Sequence, residues 1–136
     1  MHSDPWQQAR EMYARDNCAR ALGIEIVEMD DGYATLTMTV TETMLNGHGT
    51  CHGGQLFALA DTAFAYACNS QGVAAVAAGC SIDFLRPAQA GDVLTATARA
   101  RHQGRRTGVY DIEIINQQAK AVALFRGRAH RLNAET

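Results

Sequence analysis

The sequence predicts an α+β domain in which one antiparallel β-sheet wraps around a long central α-helix. Three observations point to it. The segment Gln55 to Asn69 is free of helix breakers and apolar on nearly every side, the mark of a helix buried within a larger structure. The segments around it read as strands with a single apolar face. Their order is one helix, two strands, the apolar helix and four strands, which one sheet curled over one helix satisfies.

Taken in order, Pro5 to Ala21 reads as a short helix with Trp6, Ala9, Met12 and Tyr13 along one stripe. Ile24, Ile26 and Val27 start a strand, Asp30-Asp31-Gly32 is a turn, and then alternation is strict. Ala34, Leu36, Met38 and Val40 face one way and Thr35, Thr37 and Thr39 the other, which makes a hairpin. A loop from Thr43 to Gly54 leads into the apolar helix. Four strand-like runs follow: AAVAAGCSIDFL up to Arg86-Pro87, DVLTATARAR, TGVYDIEIIN and KAVALFRGRAHRL, the last interrupted by Gly127. Ala90-Gly91-Asp92, His102 to Arg106 and Asn116-Gln117-Gln118 are the turns between them.

The chain has 136 residues, which suits one domain over 1–136 with a real core. It is 47% hydrophobic and 19% charged, with a net charge of -2, so nothing global points to a nucleic-acid partner. No apolar run approaches the roughly 18 to 20 residues that span a bilayer, and the polar start MHSDPWQQAREMYARD lacks the apolar stretch of a secretion signal. Cys18, Cys51, Cys68 and Cys80 are scattered without a CxxC pair, as expected of reduced thiols in a cytoplasmic protein.

The chemistry concentrates between Leu45 and Ser70. Asn46, Gly47, Gly49, Gly53 and Gly54 allow unusual backbone conformations and close approach by another molecule. They lead into the amino end of the apolar helix, where backbone N–H groups lack helical partners and attract negative charge. A carbonyl placed there would find donors for a developing oxyanion; the plainer reading is a connector whose glycines separate two elements. Asp61 is the acid within the apolar helix, with Phe57, Ala58, Phe64 and Ala65 as its helical neighbours. An ionised carboxylate there is costly unless something uses it, and burial raises its pKa toward general-base work. Alternatively the backbone or Thr62 satisfies it, or it lies at a subunit contact.

Eight residues of helix separate Gly53 from Asp61 by about 12 Å, too far for both to reach one carbonyl. Two helices packed antiparallel would bring the Asp61 of one subunit to the Gly53 end of the other. If both residues are catalytic, the geometry requires a two-fold dimer with two equivalent sites.

Other readings of the same stretch are weaker. His48 and His52 are four apart, but glycines argue against a helix there and no HExxH or third ligand follows, so no metal site is expected. The glycines lack the Lys-Ser/Thr of a P-loop, and there is no GxSxG elbow. Cys51 and His52 are adjacent, which rarely lets a nucleophile and base face each other. In RHQGRRTG, Arg101, Arg105 and Arg106 form either a solvated hairpin loop or a phosphate contact.

LNGHGTCHGGQLFALADTAFAYACNS, followed by SIDFLRPAQAGD, resembles the hotdog-fold acyl-CoA thioesterases, and within them the branch serving bacterial phenylacetic acid degradation. The resemblance covers essentially the whole chain. It implies the hotdog fold, a dimer with a continuous sheet, and dimers joined into a homotetramer. It also implies hydrolysis of phenylacetyl-CoA and its ring-hydroxylated relatives in the cytoplasm, with neither metal nor cofactor and with no nucleic-acid or membrane partner. Carried onto matching positions, Asp61 is the catalytic carboxylate, supplied by the partner subunit. The Gly53 amide polarises the carbonyl, and Asn46 and His52 line the same place. Thr62 helps position water, and Phe57, one turn before Asp61, joins the substrate contacts. Arg86, Arg105 and Arg106 are candidates for the CoA phosphates.

Two rivals remain at this level. A hydratase or dehydratase of acyl thioesters pairs a histidine with a carboxylate in other motifs, whereas the helix here offers only the acid. A non-catalytic acyl-CoA-binding protein needs no turnover at all.

Overall fold

Strands β1 (Glu25–Asp30) and β2 (Tyr33–Thr39) are joined by the two-residue turn Asp31-Gly32, which is possible because Gly32 takes φ 65°. The Gly32 N–H donates to the buried Ser70 hydroxyl at 2.8 Å, and Ser70 donates to the Ala67 carbonyl at 2.7 Å. The hairpin is thereby pinned to the far end of the central helix. A computed structural model describes residues 4–132 of the chain.

The expected amino-terminal helix is two helices, α1 (Pro5–Arg15) and α2 (Asn17–Ala21). Asp16 divides them: its Oδ1 accepts from the Ala19 N–H at 3.0 Å and caps α2, a local bond that competes with helix continuation. Asp4 caps α1 in the same way, accepting from the Trp6 N–H with Pro5 in the first turn, where proline costs nothing. The loop after β2 holds a 3-10 turn, Glu42–Met44, that the sequence reading did not foresee.

The central helix α3 spans Gly53–Cys68 and begins two residues earlier than its apolar run. Strands β3 (Ala75–Phe84), β4 (Val93–Gln103), β5 (Thr107–Ile115) and β6 (Ala121–Arg131) complete one antiparallel sheet of order β1-β2-β4-β5-β6-β3. The six expected strands and their wrapping around one helix are therefore present. The order sends β3 to the far edge, beside β6, so the chain crosses the sheet through α3.

Helix α3 buries Leu56, Leu59, Ala60, Ala63, Phe64, Tyr66, Ala67 and Cys68 against the sheet. Gly54, Ala58, Asp61, Thr62 and Ala65, spaced at three and four, form an opposite stripe that the chain's own sheet does not cover. The helix is apolar nearly all round, yet one face of small residues stays open.

The two sheet edges differ in kind. β1 is short, has a register shift between Ile26 and Glu28, and carries Glu25, Glu28 and Asp30, features that discourage edge pairing. β3 is ten residues of mostly small and apolar side chains, with Val76 47% and Phe84 54% exposed.

Gly127 interrupts β6 for a packing reason. The Phe64 ring lies against it, with Tyr110 and Phe125 rings at centroid distances of 5.7 and 5.8 Å, and a Cβ at position 127 would meet two Phe64 ring atoms at 2.8 Å. Gly127→Ala is therefore expected to lower stability by about 1–3 kcal/mol through overpacking. Equilibrium urea unfolding reads this directly, and an unshifted midpoint would show that the ring has room to move.

Candidate active site

The loop leading into α3 is built on Asn46. Its Oδ1 accepts from the N–H groups of His48 (2.9 Å) and Thr50 (3.2 Å) and from the Thr50 hydroxyl (3.4 Å), while its own N–H donates to the Thr50 carbonyl at 2.7 Å. Gly49 turns the chain at φ 78°, a conformation that favours glycine. The Asn46 Nδ2 donors take no partner among the described residues. The loop is tied down by the Cys51 N–H on the Ala88 carbonyl and the His52 N–H on the Met44 carbonyl, each at 2.8 Å.

His52 is the N-cap of α3. Its Nδ1 accepts from the Gly54 N–H at 3.0 Å, which requires a neutral ring carrying its proton on Nε2. The His52 carbonyl accepts from the Gln55 and Leu56 N–H groups at 2.9 and 3.2 Å. Of the first four N–H groups of the helix, only that of Gly53 is left without a partner among the described residues. One donor thus stands free at the positive end of a 16-residue helix. Phe84 leans over it: a Cβ on Gly53 would lie 3.1 Å from the Phe84 ring.

Asp61 lies two turns further along the open stripe. It makes no hydrogen bond or ion pair among the described residues, and burial pushes its carboxyl above the ordinary carboxylate range. With Asp61, the residues Phe64, Ala65 and Cys68 of the same helix, Met12 of α1 and Ala75 of β3 line a cavity of about 320 Å³.

The remaining candidates fall into place around these two points without joining them. Thr62 directs its hydroxyl proton into the helix, onto the Ala58 carbonyl at 2.6 Å, so toward a ligand it presents lone pairs. Phe57 packs edge-on against Phe125, ring centroids 5.4 Å apart. Arg86 donates to the Ala121 carbonyl at 2.8 Å, at the Gly53 end of the sheet. Arg105 and Arg106 precede Thr107, which pairs with His130 opposite Val76, at the Cys68 end. Cys51 is buried, its thiol pushed up by burial and turned to the His52 carbonyl, so it does not face the His52 ring. No three His, Cys, Asp or Glu side chains cluster as a ligand set among the described residues.

Gly53 and Asp61 belong to one unbroken helix, so the separation of about 12 Å stands. Sequence reading had missed Met12 and Phe84 as neighbours of the site. Met12 sits on an amphipathic stripe that also reads as ordinary packing, and Phe84 approaches Gly53 only through the sheet order.

The thioesterase superfamily profile matches residues 48–123 of the chain. The acyl-coenzyme A thioesterase PaaI of Escherichia coli (strain K12) is 70% identical over 132 residues, covering 97% of this chain and 94% of its own. The solved structure of the E. coli PaaI protein from the phenylacetic acid degradation operon superposes with a TM-score of 0.94 at 70% identity, covering 95% of this chain and 94% of that one. The smu.793 protein from Streptococcus mutans UA159, solved bound to acetyl-CoA, matches with a TM-score of 0.78 at 31% identity over 80% of this chain and 88% of that one. An unpartnered carboxylate, a free helix-end donor, the sheet-around-helix architecture and these similarities agree: the chain is a thioester hydrolase with the hotdog fold and belongs to the thioesterase superfamily.

Proposed function

We propose that the protein hydrolyses acyl-CoA thioesters, with phenylacetyl-CoA and ring-hydroxylated phenylacetyl-CoA as substrates, and serves aerobic phenylacetate degradation as a single hotdog domain over 1–136. The observation that carries the proposal is Asp61: a half-buried carboxylate without a partner among the described residues, in the wall of a largely apolar cavity. The identity to the E. coli thioesterase supports the aryl-acetyl substrates.

The active unit is a two-fold dimer in which each site takes Gly53 from one subunit and Asp61 from the other. Three features support it. The two groups cannot meet within one helix. The open stripe of α3 is made of small residues that permit close helix contact, and β3 offers an unprotected edge for a continuous sheet. If Gly53 of one copy is level with Asp61 of the other, the axis passes beside Phe57 and Ala58. Dimers pair further into a homotetramer.

In that arrangement the thioester carbonyl oxygen receives the Gly53 N–H, with the Asn46 Nδ2 donors and the His52 ring alongside. Asp61 either takes a proton from the attacking water or attacks the carbonyl itself to give a mixed anhydride that water then opens. In both routes negative charge builds on the carbonyl oxygen, where a preset helix-end donor is worth several kcal/mol, on the order of 3. The CoA thiolate leaves along the subunit interface. Arg86 of the subunit giving Gly53, and Arg105 and Arg106 of the subunit giving Asp61, lie at that end for its phosphates. No metal or cofactor takes part in the proposal.

A mixing experiment tests the shared site. Asp61→Ala removes the carboxylate. Gly53→Pro removes one N–H at the first helical position, where the backbone suits proline after a His52 already extended at φ -62° and ψ 137°, and its added Cβ, 3.1 Å from the Phe84 ring, requires that ring to shift by a few tenths of an ångström. Each variant alone is expected to lose at least about a hundredfold in thiol release from phenylacetyl-CoA. Unfolded and refolded together, they form mixed dimers in which one of two sites is whole, restoring roughly a quarter of wild-type activity. No recovery, with folded mixed dimers present, contradicts a site shared between subunits.

The raised pKa of Asp61 has two consequences. Activity requires the ionised form, so kcat/KM falls on acidification at a pH above the ordinary carboxylate value of about 4. For stability the sign is opposite. The folded state holds the proton more tightly than the unfolded chain, so this group's favourable contribution is present at low pH and is lost as pH rises through the raised pKa. Asp61→Asn is expected to match or exceed the wild-type melting temperature at neutral pH and to lose that advantage near pH 4. A variant less stable than wild type at pH 7 would mean that the carboxylate has a native partner.

A further inference from the structure

Helix α1 is not absorbed by the chemistry above, yet Met12 and Asp61 line the same cavity. An acyl carbon held for attack by Asp61 has this cavity directly beside it. Its volume, about 320 Å³, is at the low end for small-ligand sites, enough for an acyl group and not for CoA.

Among the polar side chains of the walls, those other than Asp61 are already engaged. The Asn69 amide is spent: its Nδ2 donates to the carbonyls of Ala65 (2.9 Å) and Ala75 (3.2 Å), and its Oδ1 accepts from the Ala75 N–H at 2.9 Å. The Cys68 thiol is turned to the Ala65 carbonyl at 3.6 Å and, with its pKa pushed up to about 12 chiefly by burial, stays neutral. Met12, Phe64, Val76 and three alanines supply the remaining side-chain surface.

Met12 is the largest side chain reaching the cavity from outside α3 and β3, and α1 holds it firmly. Ala9 is fully buried, the Tyr13 hydroxyl donates to the Ile24 carbonyl at 2.6 Å, and the Tyr66 hydroxyl of α3 donates to Asp16 Oδ2 at 3.1 Å. The wall is therefore preset.

We propose that this cavity takes the acyl group of the thioester and that Met12 of α1 sets how large that group is. The proposal rests on the hydrolase reading above and adds a specificity-determining residue to it. The test compares kcat/KM for acetyl-, phenylacetyl- and 1-naphthylacetyl-CoA in thiol-release assays of the full-length protein. Ratios between substrates cancel any loss of folded enzyme.

Met12→Ala widens the cavity and is expected to raise the naphthylacetyl to phenylacetyl ratio about tenfold. Met12→Trp fills it and is expected to lower the phenylacetyl to acetyl ratio at least about tenfold, mainly through KM. Met12→Phe, a smaller step in the same direction, replaces it if the tryptophan variant does not fold. Ratios within about twofold of wild type in every variant overturn the assignment of Met12. A wild-type protein that releases no thiol from any of the three overturns the hydrolase reading instead.

Discussion

Helix α3 runs without a break from Gly53 to Cys68, and its hydrogen-bond ladder fixes every residue at 1.5 Å of rise. Gly53, with its free N–H, and Asp61, with its free carboxylate, are thus held apart by the stiffest element in the fold. A loop could have folded one group back onto the other; a helix packed against a six-stranded sheet cannot. Much else follows from this constraint. The stripe holding Asp61 is left uncovered by the chain's own sheet, and a site that used both groups, as proposed above, would have to take one of them from a second chain. The glycine at the helix end also carries no side chain, and the Phe84 ring lies where a Cβ would come within 3.1 Å of it.

The supply of donors at that end is equally constrained. A helix start exposes several N–H groups, and here all but one of the first four have a partner among the described residues. His52 takes the Gly54 N–H on its ring and the Gln55 and Leu56 N–H groups on its carbonyl. What is left for a ligand is a single directed donor rather than a diffuse positive patch. The ring is held as the neutral tautomer by the same bond. The glycine-rich loop is likewise tied across by Asn46, whose Oδ1 accepts from the His48 and Thr50 N–H groups.

The fold was legible because its periodicities were clean. The alternation in β2 and β4, the all-round apolarity of α3 and the turn at Gly32 each report a local rule that tertiary packing did not override. Legibility failed where the deciding contact was distant. Asp16 splits the first helix because its carboxylate caps α2, and its second oxygen serves Tyr66, fifty residues away. Gly127 looked like a strand defect until Phe64 was seen lying on it. In the site, Asp61 and the helix end could be picked out from residue type and spacing, and their incompatibility within one chain from arithmetic. The division of the N–H groups among His52 and its neighbours could not, nor could the approach of Met12, since neither leaves a pattern in the sequence.

Asp61 and the cavity beside it are two aspects of one desolvation. Apolar walls that suit an aromatic or aliphatic acyl group also strip water from the carboxylate, which raises its pKa and makes the ionised form costly to keep. The nearby polar groups do not relieve that cost. Asn69 is spent on Ala65 and Ala75, Thr62 on Ala58, and Cys68 stays neutral. Each polar neighbour that satisfies itself locally leaves the carboxylate's lone pairs for a reactant. An apolar group entering the cavity would remove still more water and strengthen the remaining electrostatic interactions. If the cavity holds the acyl group and Asp61 reacts as proposed, acyl preference and base strength are coupled through the same surface, and a wall residue that contacts only the acyl chain also changes the surroundings of Asp61.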